Sequence, residues 1–314
     1  MPNRKILIIG GNGFIGKNIS KYLMLQEELV YSFDIQKPDE KIDKVNYIVG
    51  DFFDDENLEN AINGMDIIIH SLSTVNPGNS NTRYMQGYSR DFIQSIKLFS
   101  LAIEKEIKVI FLSSGGTVYG EQERQPILES QLPLPINHYG NVKLCIENVM
   151  RTFNKQLHTK MLIARVSNPF GPGQDYTKGV GFVDAALKKT LKGEKIEIWG
   201  DGKIVRDYIY IDDVCRMIYS IINYNGNNEV FNVSSNEGIS LNDVIYEIRN
   251  LGLNPEVEYK ESRTVDVKRI ILDNNAIKNI HNLNIKTFRE GLKEYYEYLI
   301  KEKNNFVGGK KWNY

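Results

Sequence analysis

Residues 5–25 read KILIIGGNGFIGKNISKYLML: an aliphatic β-rich run, then Gly10, Gly11, Gly13 and Gly16, then a helical pattern from Lys17 to Leu25. No other stretch limits the fold so strongly. Glycines between a strand and a helix let the backbone approach a pyrophosphate, whose charge then sits at the helix N-terminus. The next β-rich run, Leu29–Phe33, leads directly into Asp34. A carboxylate at that distance from the glycines accepts from both ribose hydroxyls and repels a 2′-phosphate, which favours NAD over NADP. The third run ends at Gly50-Asp51-Phe52, where an acid followed by an aromatic can hold an adenine edge.

Further β-rich runs at Val45–Val49, Asp66–His70, Lys108–Leu112 and Met161–Arg165 are mostly separated by helical patterns such as Phe92–Ala102. Alternation of this kind predicts an α/β fold, a Rossmann-type doubly wound parallel sheet with helices on both faces. After Pro169 the alternation breaks down and a smaller, discontinuous α/β lobe is expected, including a helix over 182–191 and a short strand over 196–199. The first lobe then comprises 1–168, with 207–233 and about 264–275 returning to it. The second comprises 169–206, 234–263 and 276–314, and 301–314 reads as a frayed tail.

At 314 residues the chain is long enough for two lobes. With 25% charged residues and a net charge of -1, it has no basic surplus to draw it to nucleic acid or an anionic membrane. No apolar run approaches a membrane span, which leaves the cytoplasm as the expected location. Its two cysteines, Cys145 and Cys215, read as buried free thiols, and neither has a second ligand at metal spacing, so no metal is expected.

In HYGNVK, Tyr139 and Lys143 are four residues apart at the start of an amphipathic segment, so both project from one helical face. An ammonium near a phenol stabilises the phenolate and lowers its pKa towards neutrality, making the tyrosine a general base.

Together these residues resemble the extended short-chain dehydrogenase/reductases, in their nucleotide-sugar epimerase and dehydratase branch. The resemblance rests on GGNGFIG, Asp34, Gly50-Asp51, SSGGTVYG over 113–120, and Tyr139 with Lys143. It continues through SNPFGPGQ over 167–174, WGDG over 199–202 and RDYI over 206–209, and it ends at RTVDV over 263–267. It implies bound NAD, a UDP-sugar between the lobes and inversion at C4, as in UDP-glucose and UDP-N-acetylglucosamine 4-epimerases. It assigns cofactor contacts to Gly10, Gly13, Phe14, Ile15, Gly16, Asp34, Asp51 and Phe52, together with Tyr139 and Lys143. Asn168, Arg206 and Arg263 are expected at the substrate diphosphate, where a guanidinium fork matches phosphate oxygens, and Ile270 beside the sugar C2 substituent. A homodimer through the helices at 92–102 and 139–150 is implied as well.

The chain departs from the family pattern in two places. The position of the usual catalytic Ser or Thr, four residues before Tyr119, is Gly115. Ser114 or Thr117, or both, are therefore the candidates to hold the sugar 4-hydroxyl. The dehydratases carry an Asp-Glu pair where this chain has Gly116 and Thr117, so elimination of water is not expected. At 90–94 the chain reads RDFIQ where relatives tend to show Asn-Val-x-Gly-Thr on the helix beside the cofactor, so Ile93 replaces a glycine that permits close packing. His70 and His138 read as structural or surface residues. Two other functions use the same fold: a reductase of a nucleotide-linked 4-ketosugar, drawing on external NAD(P)H, and a non-enzymatic dinucleotide sensor.

Overall fold

The computed structural model describes residues 3–38, 40–261, 267–281 and 283–306. From the N-terminus, β1 (Lys5–Ile9) and α1 (Phe14–Leu25) lead to β2 (Leu29–Asp34), β3 (Asn46–Val49), α2 (Asp55–Ile62) and β4 (Ile67–His70). Helix α3 (Tyr84–Gln86) runs through a π-helical stretch, Gly87–Phe92, into α4 (Ile93–Glu104), then β5 (Lys108–Ser114), the single turn α5 (Gly115–Val118) and α6 (His138–Leu157). Next come β6 (Leu162–Val166), β7 (Asn168–Phe170), α7 (Phe182–Lys192), β8 (Ile196–Trp199), β9 (Val205–Tyr210), α8 (Ile211–Ile222) and β10 (Val230–Val233). The chain closes with β11 (Gly238–Ser240), α9 (Leu241–Asn250), β12 (Val257–Lys260), β13 (Arg269–Ile270), α10 (Asn275–His281) and α11 (Phe288–Phe306).

Seven strands form one parallel sheet in the order β10-β6-β5-β4-β1-β2-β3. Strands covered on both faces must be apolar throughout, and Ile6 to Ile9 are all fully buried. Their alternation feeds two cores. Ile6 and Ile8 join a cluster with Ile19 of α1 and Ile218 of α8 that continues into α7, α9 and α11 of the smaller lobe. Leu7 and Ile9 join Leu98 of α4 and Ile146 of α6 on the opposite face. Strand order reverses between β1 and β4, which opens a crevice beyond their carboxyl ends, the usual place for a ligand in such sheets.

The segment expected to return to the first lobe divides. Strand β10 joins the large sheet, but β9 pairs in a four-stranded sheet with β11, β13 and β7. The backbone of β9 is thereby shared with the smaller lobe. Strand β8 pairs with β12 in a separate two-stranded sheet. Helix α1 starts at Phe14, earlier than its apolar pattern suggested, because the glycine turn is tight enough to enter the helix at once. Helix α11 reaches Phe306, so the expected fraying does not begin at 301. Cys215 is buried and Cys145 half-buried, both as free thiols. Among the described residues no helix is long and apolar enough to cross a membrane.

Candidate functional site

The glycine turn fits a dinucleotide pyrophosphate. Gly10 lies at φ +78, in the left-handed region, and a Cβ on Gly16 would fall 2.5 Å from the Gly10 carbonyl oxygen. Gly13 caps α1 without any side-chain hydrogen bond, and no acid occupies the first turn. The first amides of α1, including those of Phe14 and Ile15, therefore have no side chain competing for the anion. Asp34 ends β2 beside this turn, its carboxylate accepting from Asn12 N at 3.1 Å and Gln36 N at 3.3 Å. A neighbouring pocket of about 240 Å³ is bordered by Asp34, Gly50, Asp51, Phe53, Ser73, Thr74 and Arg90, among others. Asp51 Oδ1 accepts from Phe53 N at 3.0 Å. Phe52 also borders this pocket, and its ring, 2% exposed, packs on His70.

A larger cleft, about 560 Å³, is bordered by Phe14 and Ile15, by Ser114, Thr117 and Tyr139, and by Asn168, Arg206 and Tyr208, among others. Helix α6 begins at His138, capped by the Asn137 side chain, which accepts from Gly140 N at 2.8 Å, and this places Tyr139 in its first turn. Lys143, one turn on, is 3% exposed. Its Nζ donates to the Leu112 carbonyl at 3.1 Å and lies 5.7 Å from the centre of the Tyr139 ring.

The electrostatics differ from the expectation that Lys143 alone would acidify the phenol. Burial, then the Asp91 carboxylate, pushes Tyr139 up to about 12, and a hydrogen bond with Ser114 pulls it partly back. Burial likewise brings Lys143 down to about 8, against the opposing pull of Asp91 and Glu147. Desolvation disfavours the charged form of both groups and outweighs what they can do for each other across that separation.

The structure explains the glycine at the position of the usual hydroxyl. A Cβ on Gly115 would lie 2.3 Å from Leu272 Cδ1 and 3.0 Å from the Arg165 carbonyl oxygen, so a side chain there would enter the core and not the cleft. Ser114 and Thr117 both border the cleft, and Thr117 Oγ1 is buried without a hydrogen-bond partner. Gln174 Oε1 is in the same condition on the opposite wall and had no role assigned from sequence, although it closes the GPGQ turn.

Asn168 Nδ2 donates to the Asp207 carbonyl at 3.0 Å, and Arg206 Nη1 donates to the carbonyls of Val205 at 2.9 Å and Val267 at 2.7 Å. The Asp207 side chain is fully buried and accepts from Ser167 Oγ, Ser235 N and Oγ, Asn236 N and Leu272 N. Burial raises this carboxyl to about 6 despite those hydrogen bonds. Ile270 is 1% exposed, within a small core of Val118, Tyr119, Ile127, Val267 and Leu272, and does not border the cleft. Arg263 lies outside the described residues.

At 90–94 the outcome also differs from expectation. Ile93 is 46% exposed and crowds nothing. Gln94 and Asp91 are the buried residues of that stretch. His138 is a surface residue stacked on Tyr84 at 5.0 Å. His70 is buried against Phe52 and Phe111. Ser95 Oγ donates to the Asp91 carbonyl at 2.6 Å and so accepts from His70 Nε2–H at 2.9 Å, which fixes the tautomer.

Burial, and secondarily the Lys143 charge, holds His70 down at about 3, well below its unfolded value. The folded protein therefore binds fewer protons than the unfolded chain, and this share of stability, present above about pH 6.5, is lost as pH falls towards 3. The expected loss is about 3–5 kcal/mol over that window, read from urea midpoints against pH. His70→Gln should flatten the same limb; an unchanged limb would contradict the assignment.

The model of the NAD dependent epimerase/dehydratase family matches residues 6–234. The crystal structure of a UDP-glucose 4-epimerase from Thermotoga maritima with UDP-glucose superposes with a TM-score of 0.88 at 30% identity, covering 95% of this chain and 99% of that one. A dTDP-4-dehydro-6-deoxyglucose reductase of Escherichia coli is 30% identical over 280 residues, 85% of this chain and 88% of that protein. A UDP-glucose 4-epimerase of Halalkalibacterium halodurans is 27% identical over 296 residues, 88% of this chain and 89% of that protein.

Proposed function

Because the chain belongs to the NAD dependent epimerase/dehydratase family, with NAD as its cofactor, we propose that it inverts C4 of a UDP-hexose, of the glucose/galactose or the N-acetylhexosamine pair. One observation carries this reading: among the described residues bordering the cleft there is no carboxylate, and Tyr139 is the group suited to proton transfer. Elimination across C5 and C6 needs an acid there, whereas oxidation and reduction at a carbinol needs a single proton shuttle.

Gly10, Gly13, Phe14, Ile15 and Gly16 would hold the NAD pyrophosphate, Asp34 the adenosine ribose and Asp51 the adenine edge. NAD, when bound, supplies the hydride acceptor and donor. Tyr139 would take the 4-hydroxyl proton as the 4-ketose forms and return it to the same oxygen once the sugar has turned over, so that C4 is re-reduced on its other face. Ser114 and Thr117 orient that oxygen, and Lys143 holds the nicotinamide ribose. Asn168 and Arg206 hold the diphosphate, with Arg263 assigned there by the family pattern alone. On this reading the protein works in the cytoplasm as a homodimer joined through α4 and α6.

Ser114→Ala and Thr117→Val are each expected to lower kcat about 10- to 100-fold, the scale of one hydrogen bond to a charged group. Steady-state kinetics on both variants checks this; two unaffected variants would remove the hydroxyls from the mechanism.

A second reading, reduction of a nucleotide-linked 4-ketosugar, draws on the Escherichia coli reductase and on the lack of a hydroxyl at Gly115. Proton NMR of UDP-galactose and UDP-N-acetylgalactosamine, incubated separately with the protein and no added cofactor, distinguishes the two. Appearance of the anomeric signal of the gluco epimer supports epimerisation with self-contained NAD. Silence in both tubes, with oxidation of added NADH by a 4-ketosugar, would establish the reductase instead.

A further inference from the structure

We propose that Arg90 stacks on the adenine of the bound dinucleotide and holds the adenosine end of the cofactor in place. The stretch that carries it, Gly87–Phe92, is π-helical. Such turns are rare and redirect side chains relative to a regular helix, often at functional sites. Here it sends two neighbouring charged side chains to different tasks. Asp91, 4% exposed, accepts from Ser73 Oγ at 2.8 Å, Thr74 N at 2.8 Å and Thr74 Oγ1 at 2.6 Å. Arg90 is exposed, with its guanidinium carbon 4.0 Å from the centre of the Phe53 ring.

Ser73, Thr74, Phe53 and Arg90 all border the pocket of about 240 Å³ that also includes Asp34 and Asp51. Asp91 thus fixes one wall, while Arg90 and Phe53 supply a flat, polarisable pair of surfaces. Arg90 forms no ion pair with Asp34, Asp51 or any other described carboxylate. Its planar face is therefore not committed to an acid, and a guanidinium stacks readily on a π-face such as a purine. The departure from the family pattern at 90–94 gains a purpose: it places a stacking group where the cofactor base would lie. This inference rests on NAD binding and is independent of which sugar is the substrate.

The test is calorimetric titration of the full chain, freed of nucleotide, with NAD, NADP and nicotinamide mononucleotide, which lacks the adenosine. Arg90→Ala should weaken NAD about 5- to 30-fold and leave the mononucleotide unchanged. Arg90→Lys, which keeps the charge but not the plane, should recover little of the loss. The fraction of protein purified with nucleotide bound should fall in the same order. Unchanged NAD affinity in Arg90→Ala would overturn the proposal, as would full recovery by lysine. An equal loss for the mononucleotide would assign the effect to collapse of the π-helical turn, and a loss confined to NADP would make Arg90 a reader of the 2′-phosphate; either result rejects adenine stacking.

Discussion

Tyr139→Phe is expected to lower kcat by about 10²- to 10⁴-fold, the range of a positioned general acid–base, while the protein still binds NAD. The phenol has the most to lose because no carboxylate, histidine or cysteine borders the cleft among the described residues, and the other phenol there, Tyr208, is buried in the core. Substitution by phenylalanine removes one oxygen and keeps the ring at the start of α6, so folding and cofactor content should be preserved. Burial and the Asp91 carboxylate hold the phenol protonated in the bare site, pushed up to about 12. Tyr139→Phe with normal turnover would remove Tyr139 from the reaction; lost turnover together with lost NAD would show only that the cleft had collapsed.

The second large effect is structural. Glu147→Gln should cost about 3–5 kcal/mol of stability, because it leaves the Arg165 guanidinium buried without a counter-charge. Both side chains are fully buried and joined at 2.6 Å, and Glu147 also accepts from Ser113 Oγ at 2.5 Å. Arg165 stacks over the Tyr119 ring at 4.6 Å. The pair ties β6 to α6, one turn beyond Lys143, and so sets the helix that carries both catalytic candidates. Replacing both partners, Glu147→Gln with Arg165→Met, should recover much of the loss. Urea unfolding of the single and double variants gives the coupling energy, and a single variant within 1 kcal/mol of the parent would contradict this account.

Much of this was legible in the linear chain because it depends on local chemistry. A strand, a glycine turn and a helix occur in immediate succession, so the pyrophosphate cradle needs no distant contact, and Tyr139 and Lys143 share a face through helical spacing alone. What failed did so where distant segments meet. Ile270 reads as a residue tuning the cleft, but the pairing of β13 with β9 turns it into a small core. Ile93 stands where the family's glycine permits close packing, but the chain leaves it exposed after the π-helical stretch and buries Asp91 instead.

The sequence by itself determined the α/β alternation, the dinucleotide turn and the types of residue at the site, since each follows from backbone propensity or from spacing within a few residues. Distant contacts explain what surrounds position 115, where a side chain would have to displace the tip of Leu272 and press on the Arg165 carbonyl. Tertiary structure also decided the protonation of the site: how far burial and Asp91 raise Tyr139 depends on charges and dielectric contributed by segments far apart in the chain.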